Sequence, residues 1–156
     1  KDLTAQVDHG VLSIADVKLS NAKIQSNGYL LRITNSEIKN SQLTTTGIVN
    51  VFGISLTDSR IQAEHQHISA DDIQVHGKVE FEARKDISLE LSQKELDRIN
   101  VEFSAEHGDI YRWHRDRRDI PTGGSKGEAL ANPYKTEKKD TQDLLVAKSN
   151  QSIYFP

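Results

Sequence analysis

Four arginines stand within seven residues at Arg112-Trp113-His114-Arg115-Asp116-Arg117-Arg118, on a chain whose formal net charge is −3. Arginine offers planar, bidentate donors that match phosphate and carboxylate, and tryptophan adds a stacking face. Arg112, Trp113, Arg115, Arg117 and Arg118 are therefore candidate binding residues for an anionic surface, through contacts that salt would weaken. The competing reading is an ordinary solvated edge on which Asp109, Asp116 and Asp119 neutralise the arginines. Three acids against four arginines leave little excess, so the balance tilts towards that plainer reading.

Other chemistry-bearing residues are less pointed. His65 and His67 are two apart, which on a strand sets them on one side, and His76 would lie on a neighbouring turn. With Glu64, Asp71 or Asp72 they could complete the three or four ligands a zinc ion takes. The same spacing also describes solvated imidazoles on an outer wall, and that reading is favoured, so no metal is assigned. Glycosidase chemistry needs two carboxyls across a cleft, roughly 5–9.5 Å apart. Asp71 and Asp72 are adjacent, and on a strand they would point to opposite faces. Asp16 and Asp58 occupy turn positions that Asn fills elsewhere, which suggests backbone capping. Pro121-Thr-Gly-Gly-Ser-Lys-Gly lacks the spacing and strand–loop–helix context of a phosphate loop. No catalytic residue and no cofactor follow from any of these.

The elements that must position these residues announce themselves as a repeat. Ile14, Ile33 and Phe52 are spaced by 19 and 19; Leu19, Ile38 and Leu56 by 19 and 18; Ile24, Leu43 and Ile61 by 19 and 18. Turn residues precede two of these columns: Asp16, Asn35 and Gly53, then Asn21, Asn40 and Asp58. Gly28, Gly47 and His65 follow the last column, and the pattern returns shortened at Ile73 and Gly77. Leu12-x-Ile14, Leu31-x-Ile33 and Val49-x-Val51 have the period of two that marks strands. Short strands that cannot cover their own apolar face, repeated at about 19 residues, predict an all-β, single-domain parallel β-solenoid.

The rest of the chain fits that frame. Residues 1–77 read as short rungs, and 78–114 as longer strands. Within the latter, Ser92-Gln-Lys-Glu95 has the form of a capping box opening one helical turn. Residues 115–142 are rich in charge, Gly and Pro and read as a mobile polar loop. Residues 143–156 read as two closing strands. An open solenoid end needs covering, and Trp113, Tyr154 and Phe155 are the candidates for a C-terminal cap.

Composition sets outer limits. Ile, Leu, Val and Phe make 40 of 156 residues, about a quarter and above the ~20% under which disorder is the default. There is no Cys, which removes disulfides, thiolate zinc sites and cysteine nucleophiles. No apolar run approaches the ~18 residues of a membrane span. A pI near 6.1 argues against a dedicated nucleic-acid binder. Met is absent even at position 1, which reads as a mature region excised from a longer chain.

The Asn/Asp-turn ladder, the Gly108-Asp109-Ile110 turn and the Ala147-Lys148-Ser149 to Ser152-Ile153 strand together resemble a bacterial adhesin-type domain family of unknown function. That family includes extracytoplasmic domains of Lia-type envelope-stress proteins of Gram-positive bacteria. Asn150-Gln151-Ser152 stands where the family shows Gly and Asp. The resemblance implies a stacked β fold, no known catalytic residues, and an extracytoplasmic place at the cell surface, membrane-anchored in the full-length protein. The function expected is a non-enzymatic envelope module contacting an anionic cell-wall polymer, the membrane surface or an envelope protein. The alternatives are a structural or oligomerising module and, less favoured, a carbohydrate-active β-helix enzyme. Oligomeric state is not encoded in any of these features.

Overall fold

Alternating residues in short runs, each ended by a residue that tolerates a left-handed backbone, bend the chain repeatedly around three faces. The computed structural model describes residues 3–112, 128–130, 134–135 and 138–155. The first circuit is β1 (Leu3–Val7), β2 (Val11–Ala15) and β3 (Lys18–Ser20), and the second β4 (Ala22–Ser26), β5 (Leu30–Thr34) and β6 (Glu37–Lys39). In the third, β7 (Gln42–Thr45) precedes β8 (Ile48–Thr57), which serves two faces; β9 (Arg60–Ala63) and β10 (Ile68–His76) repeat this in the fourth. Then come β11 (Lys78–Ala83), β12 (Ile87–Glu90), the helix α1 (Gln93–Arg98), β13 (Asn100–Ala105) and β14 (Ile110–Arg112). Last are β15 (Glu128–Leu130), β16 (Tyr134–Lys135), β17 (Leu144–Ser149) and β18 (Ile153–Phe155).

These strands stack as a parallel β-solenoid. The first face runs β1-β4-β7-β9-β11-β17-β13-β16, and the second β2-β5-β8-β10-β12-β18-β14-β15. A third face holds β3, β6 and the later halves of β8 and β10. Inside, Leu31, Ile33, Ile38, Leu43, Leu56 and Ile61 are fully buried. Ile24, Leu43 and Ile61 form one ladder, and Leu19, Ile38 and Leu56 another, as their spacing predicts. Among the described residues no helix is long and apolar enough to cross a membrane.

The corners explain the turn residues. Asp16, Asn35, Gly53 and Asp72 make one row and Asn21, Asn40, Asp58 and Gly77 another, every one at positive φ, from 46° to 65°. Short polar side chains and glycine enter this region most readily. Behind them sits a buried row the spacing did not reveal. Ser41 Oγ accepts from Ala22 N–H at 3.0 Å and Ser59 Oγ from Ser41 N–H at 3.1 Å, each also donating to a carbonyl two residues back. At the third corner the circuits approach closely: a Cβ on Gly47 would sit 2.3 Å from the Tyr29 carbonyl.

Four expectations need correction. Val51, not Phe52, continues the Ile14–Ile33 ladder; the third circuit is a residue shorter before its second face, and Phe52 turns outward, 50% exposed. Asp71 and Asp72 do not point to opposite faces, because the left-handed turn at Asp72 breaks the alternation and leaves both outside. Within 115–142, β15 and β16 pair antiparallel with β14 and β13, where composition signalled only loop.

The closing strands, finally, do not cap the solenoid. β17 lies between β11 and β13, and β18 between β12 and β14. The stack accepts them because Ala147 sits between Phe81 and Phe103, while Leu145 joins Val79 to Val101. Phe155 is buried, its ring centroid 4.7 Å from that of Phe103.

Candidate binding surface

The arginine segment is tethered by strand pairing. Arg112 ends β14, with its backbone set between Phe155 of β18 and Glu128 of β15. Residues 113–127 thus connect two antiparallel partners at the far end of the second face. Trp113, Arg115, Arg117 and Arg118 lie outside the described residues, as do Asp116, Asp119 and Pro121–Gly127; of Arg112 only the backbone is described.

The wall next to this tether is aromatic and acidic. Tyr111 and Tyr154 stack with centroids 5.0 Å apart and planes 10° from parallel. They meet because β14 and β18 align Tyr111 with Tyr154 on the outer side. The Tyr111 hydroxyl donates to Asp109 Oδ2 at 3.2 Å. Burial, then Asp109, pushes the Tyr111 phenol up, and burial with Asp86 does the same for Tyr154. Both therefore stay neutral at physiological pH. Gly108-Asp109-Ile110 fits closely against the final turn: Asp109 N–H donates to Ser152 Oγ at 3.2 Å, and Ile153 N–H to the Asp109 carbonyl at 3.0 Å.

A second charged constellation stands where α1 takes over the third face. Ser92 caps the helix by accepting from Glu95 N–H at 3.1 Å. Glu95 does not complete the box that its spacing predicts. Its Oε2 instead accepts from Val75 N–H at 2.7 Å and from Arg98 Nη2 at 2.8 Å. Arg98 also pairs with Asp143, whose Oδ1 accepts from Gly77 N–H at 2.8 Å. The group replaces the strand neighbours that β10 loses beside the helix. Burial would push the Glu95 carboxyl up, but the hydrogen bonds from Arg98 and Val75 outweigh it and hold it below the usual range. Asp143 is likewise lowered, with Gly77 N–H and Arg98 overcoming its desolvation. Arg98 is held more firmly protonated by both partners. The three side chains pair with one another and hold the backbone of Val75 and Gly77, so this is a structural clamp. Its only sequence signal is the three-residue spacing of Glu95 and Arg98.

The histidines are not brought together. His65 and His67 stand in the bend between β9 and β10 rather than on a strand, while His76 ends β10 at another corner. Among the described residues no group of three or more His, Asp or Glu could hold a metal ion. Asp58 is a turn former, its Oδ1 accepting from Lys78 N–H at 3.0 Å.

The sequence model of the Toastrack DUF4097 family matches residues 1–153. The chain belongs to that family. The Toastrack domain is a β-solenoid of unknown function, in keeping with the stacked circuits above and with no known enzyme family. No curated protein and no solved structure matches the chain.

Proposed function

We propose that this Toastrack domain is a non-catalytic, extracytoplasmic binding module of the bacterial cell envelope, akin to the adhesin-type domains of Lia envelope-stress proteins. In the full-length protein it is held at the membrane, and it contacts an anionic envelope component through Arg112, Trp113, Arg115, Arg117 and Arg118. The observation that carries this reading is the tether. Arg112 is fixed by pairing with Phe155 and Glu128, so the segment that follows leaves from a rigid terminal strand. Between these paired strands the chain holds three arginines and one lysine against two aspartates, while the whole chain is net acidic. A local cationic excess on an acidic body favours an oriented approach to an anionic surface.

Anionic liposomes and purified cell-wall polymer test it. The parent chain should be retained at low ionic strength and released as salt shortens the screening length towards ~8 Å near 0.15 M. The triple variant Arg115→Ser/Arg117→Ser/Arg118→Ser should melt as the parent does and lose retention. Equal retention of parent and variant removes the basic segment from the account.

A further inference from the structure

On the outer side of the second face, three rows of side chains stand in register across β2, β5 and β8. Val11, Leu30 and Ile48 make one row, Ser13, Arg32 and Asn50 the next, and Ala15, Thr34 and Phe52 the third. The first row is apolar in all three circuits although it points away from the core. Val11 is 44% exposed and Phe52 50%, and Tyr29, at the corner beside Leu30, is 67% exposed. Among the described residues the exposed large apolar side chains are these three and Val17, all within residues 11–52. Leu30, Ile48 and Phe52 belong to strands paired on both sides, so their exposure is not that of a chain end.

The character of the face changes at the next strand. Asp71 and then Glu90 continue the row of Phe52, while Ser69 and Ser88 continue that of Asn50. The outward positions of β2, β5 and the first half of β8 hold no acid, and their charge is Arg32, set between Ser13 and Asn50.

We propose that this patch docks on a lipid surface, with Tyr29, Phe52, Val11 and Leu30 entering the headgroup region and Arg32 meeting lipid phosphate. The inference rests on the membrane location proposed above and adds a contact at a different place on the molecule. Size argues for lipid over a second folded chain. Three strands about 4.8 Å apart, with five residues of about 3.3 Å each, give a footprint of roughly 240 Å². A stable protein interface takes about 800 Å² from each partner. A bilayer needs no such area, because each side chain that enters it is surrounded by lipid. Aromatic rings rest at headgroup depth, and a guanidinium among them is attracted to an anionic leaflet. Asp71 and Glu90 would have to be desolvated against that leaflet, so the contact ends at β8. It is weaker than the K of about 10⁴ M⁻¹ that one myristoyl chain gives, so an untethered chain shows it at about millimolar lipid.

The chain has no cysteine, so one introduced thiol carries one environment-sensitive dye. Asn50→Cys puts the dye in the patch, and Ser104→Cys, exposed on the first face, puts it elsewhere. Both are made together with Arg115→Ser/Arg117→Ser/Arg118→Ser, so the arginine segment takes no part. On vesicles of phosphatidylcholine and phosphatidylglycerol the dye at position 50 should shift to the blue and be quenched by spin-labelled acyl chains. The dye at position 104 should do neither. Tyr29→Ser/Phe52→Ser changes exposed side chains, should melt as the parent does, and should weaken binding on the order of tenfold. Arg32→Ser should weaken it about fivefold on these vesicles and leave binding to pure phosphatidylcholine unchanged. A blue shift absent at every lipid concentration overturns the proposal, as does equal quenching at the two positions. So does a concentration-dependent dimer that Phe52→Ser splits, which would give the patch to a second copy. The arginines are missing from every arm, so these results stand or fall apart from retention by the arginine segment.

Discussion

Single residues decide where this chain bends. Corner positions must adopt positive φ, which costs an ordinary L-residue roughly 1–2 kcal/mol. The two corner rows spend Asn, Asp and Gly there, and this is why their spacing was legible before any coordinates. Phe52 shows the limit of such reading. A circuit shortened by one residue moves the whole strand register, and an aromatic side chain gives no sign of which side of the wall it faces. The buried serines were invisible for a related reason: Ser36, Ser41 and Ser59 follow turn residues, where a serine is unremarkable. Gly77 carries the sharpest demand. Its φ is +63°, and a Cβ there would lie 2.0 Å from Asp58 Oδ1, the acceptor of Lys78 N–H. Gly77→Ala must combine the left-handed penalty with loss of that hydrogen bond, worth about 1 kcal/mol. A loss of about 2–3 kcal/mol in urea unfolding is expected. Ala at Gly10, whose Cβ would meet nothing within 4 Å, should cost less. Equal losses at the two sites would mean that dihedral strain alone, and not Asp58, sets the requirement.

At the scale of elements, α1 is where the repeat gives way to a different device. The Ser92 cap was readable from the S-x-x-E pattern, but the clamp around Arg98 was not, because Val75 and Asp143 lie in distant parts of the sequence. The helix offers no backbone edge to β10, so the carboxylates of Glu95 and Asp143 and the Arg98 guanidinium take over the pairing of Val75 and Gly77. The pH dependence follows from the directions of the shifts. Both carboxyls titrate below their unfolded values of about 4. Their contribution is therefore complete above that pH and disappears as pH falls through the lower folded values. The melting temperature should be level from neutrality to about pH 5 and decline below pH 4. Glu95→Gln keeps the shape but takes from Arg98 one of its two carboxylate partners and gives Val75 N–H a weaker, neutral acceptor. It should lower stability at pH 7 by about 2–3 kcal/mol, less than the loss of a fully buried pair because Arg98 reaches solvent. It should also flatten the acid limb of the profile. An acid limb as steep as the parent's would assign the pH response to other carboxylates.

For the molecule as a whole, the unexpected feature is the order of stacking. Repeat proteins usually add circuits in sequence order, and from that habit the final strands read as a cap. They lie instead between two circuits that precede them in the sequence. The column suits this order: Ala147, a small buried residue, holds the register position between the large buried side chains of Phe81 and Phe103. The chain therefore closes contacts over long separations, such as Gly77 with Asp143 at 66 residues. A chain ending at residue 142 would expose two apolar strand edges, on β11 and β13, and should aggregate. A peptide of residues 143–156, supplied during refolding, should restore a soluble complex by donating β17 and β18 in trans. The same peptide with Ala147→Phe would place three phenylalanines in one column. At an overpacking cost of about 1–3 kcal/mol, it should bind on the order of ten times more weakly. Refolding of the shortened chain to a soluble, cooperatively melting protein without any peptide would show that β11 and β13 can pair directly, and that the closing strands are an addition to the stack instead of a part of it.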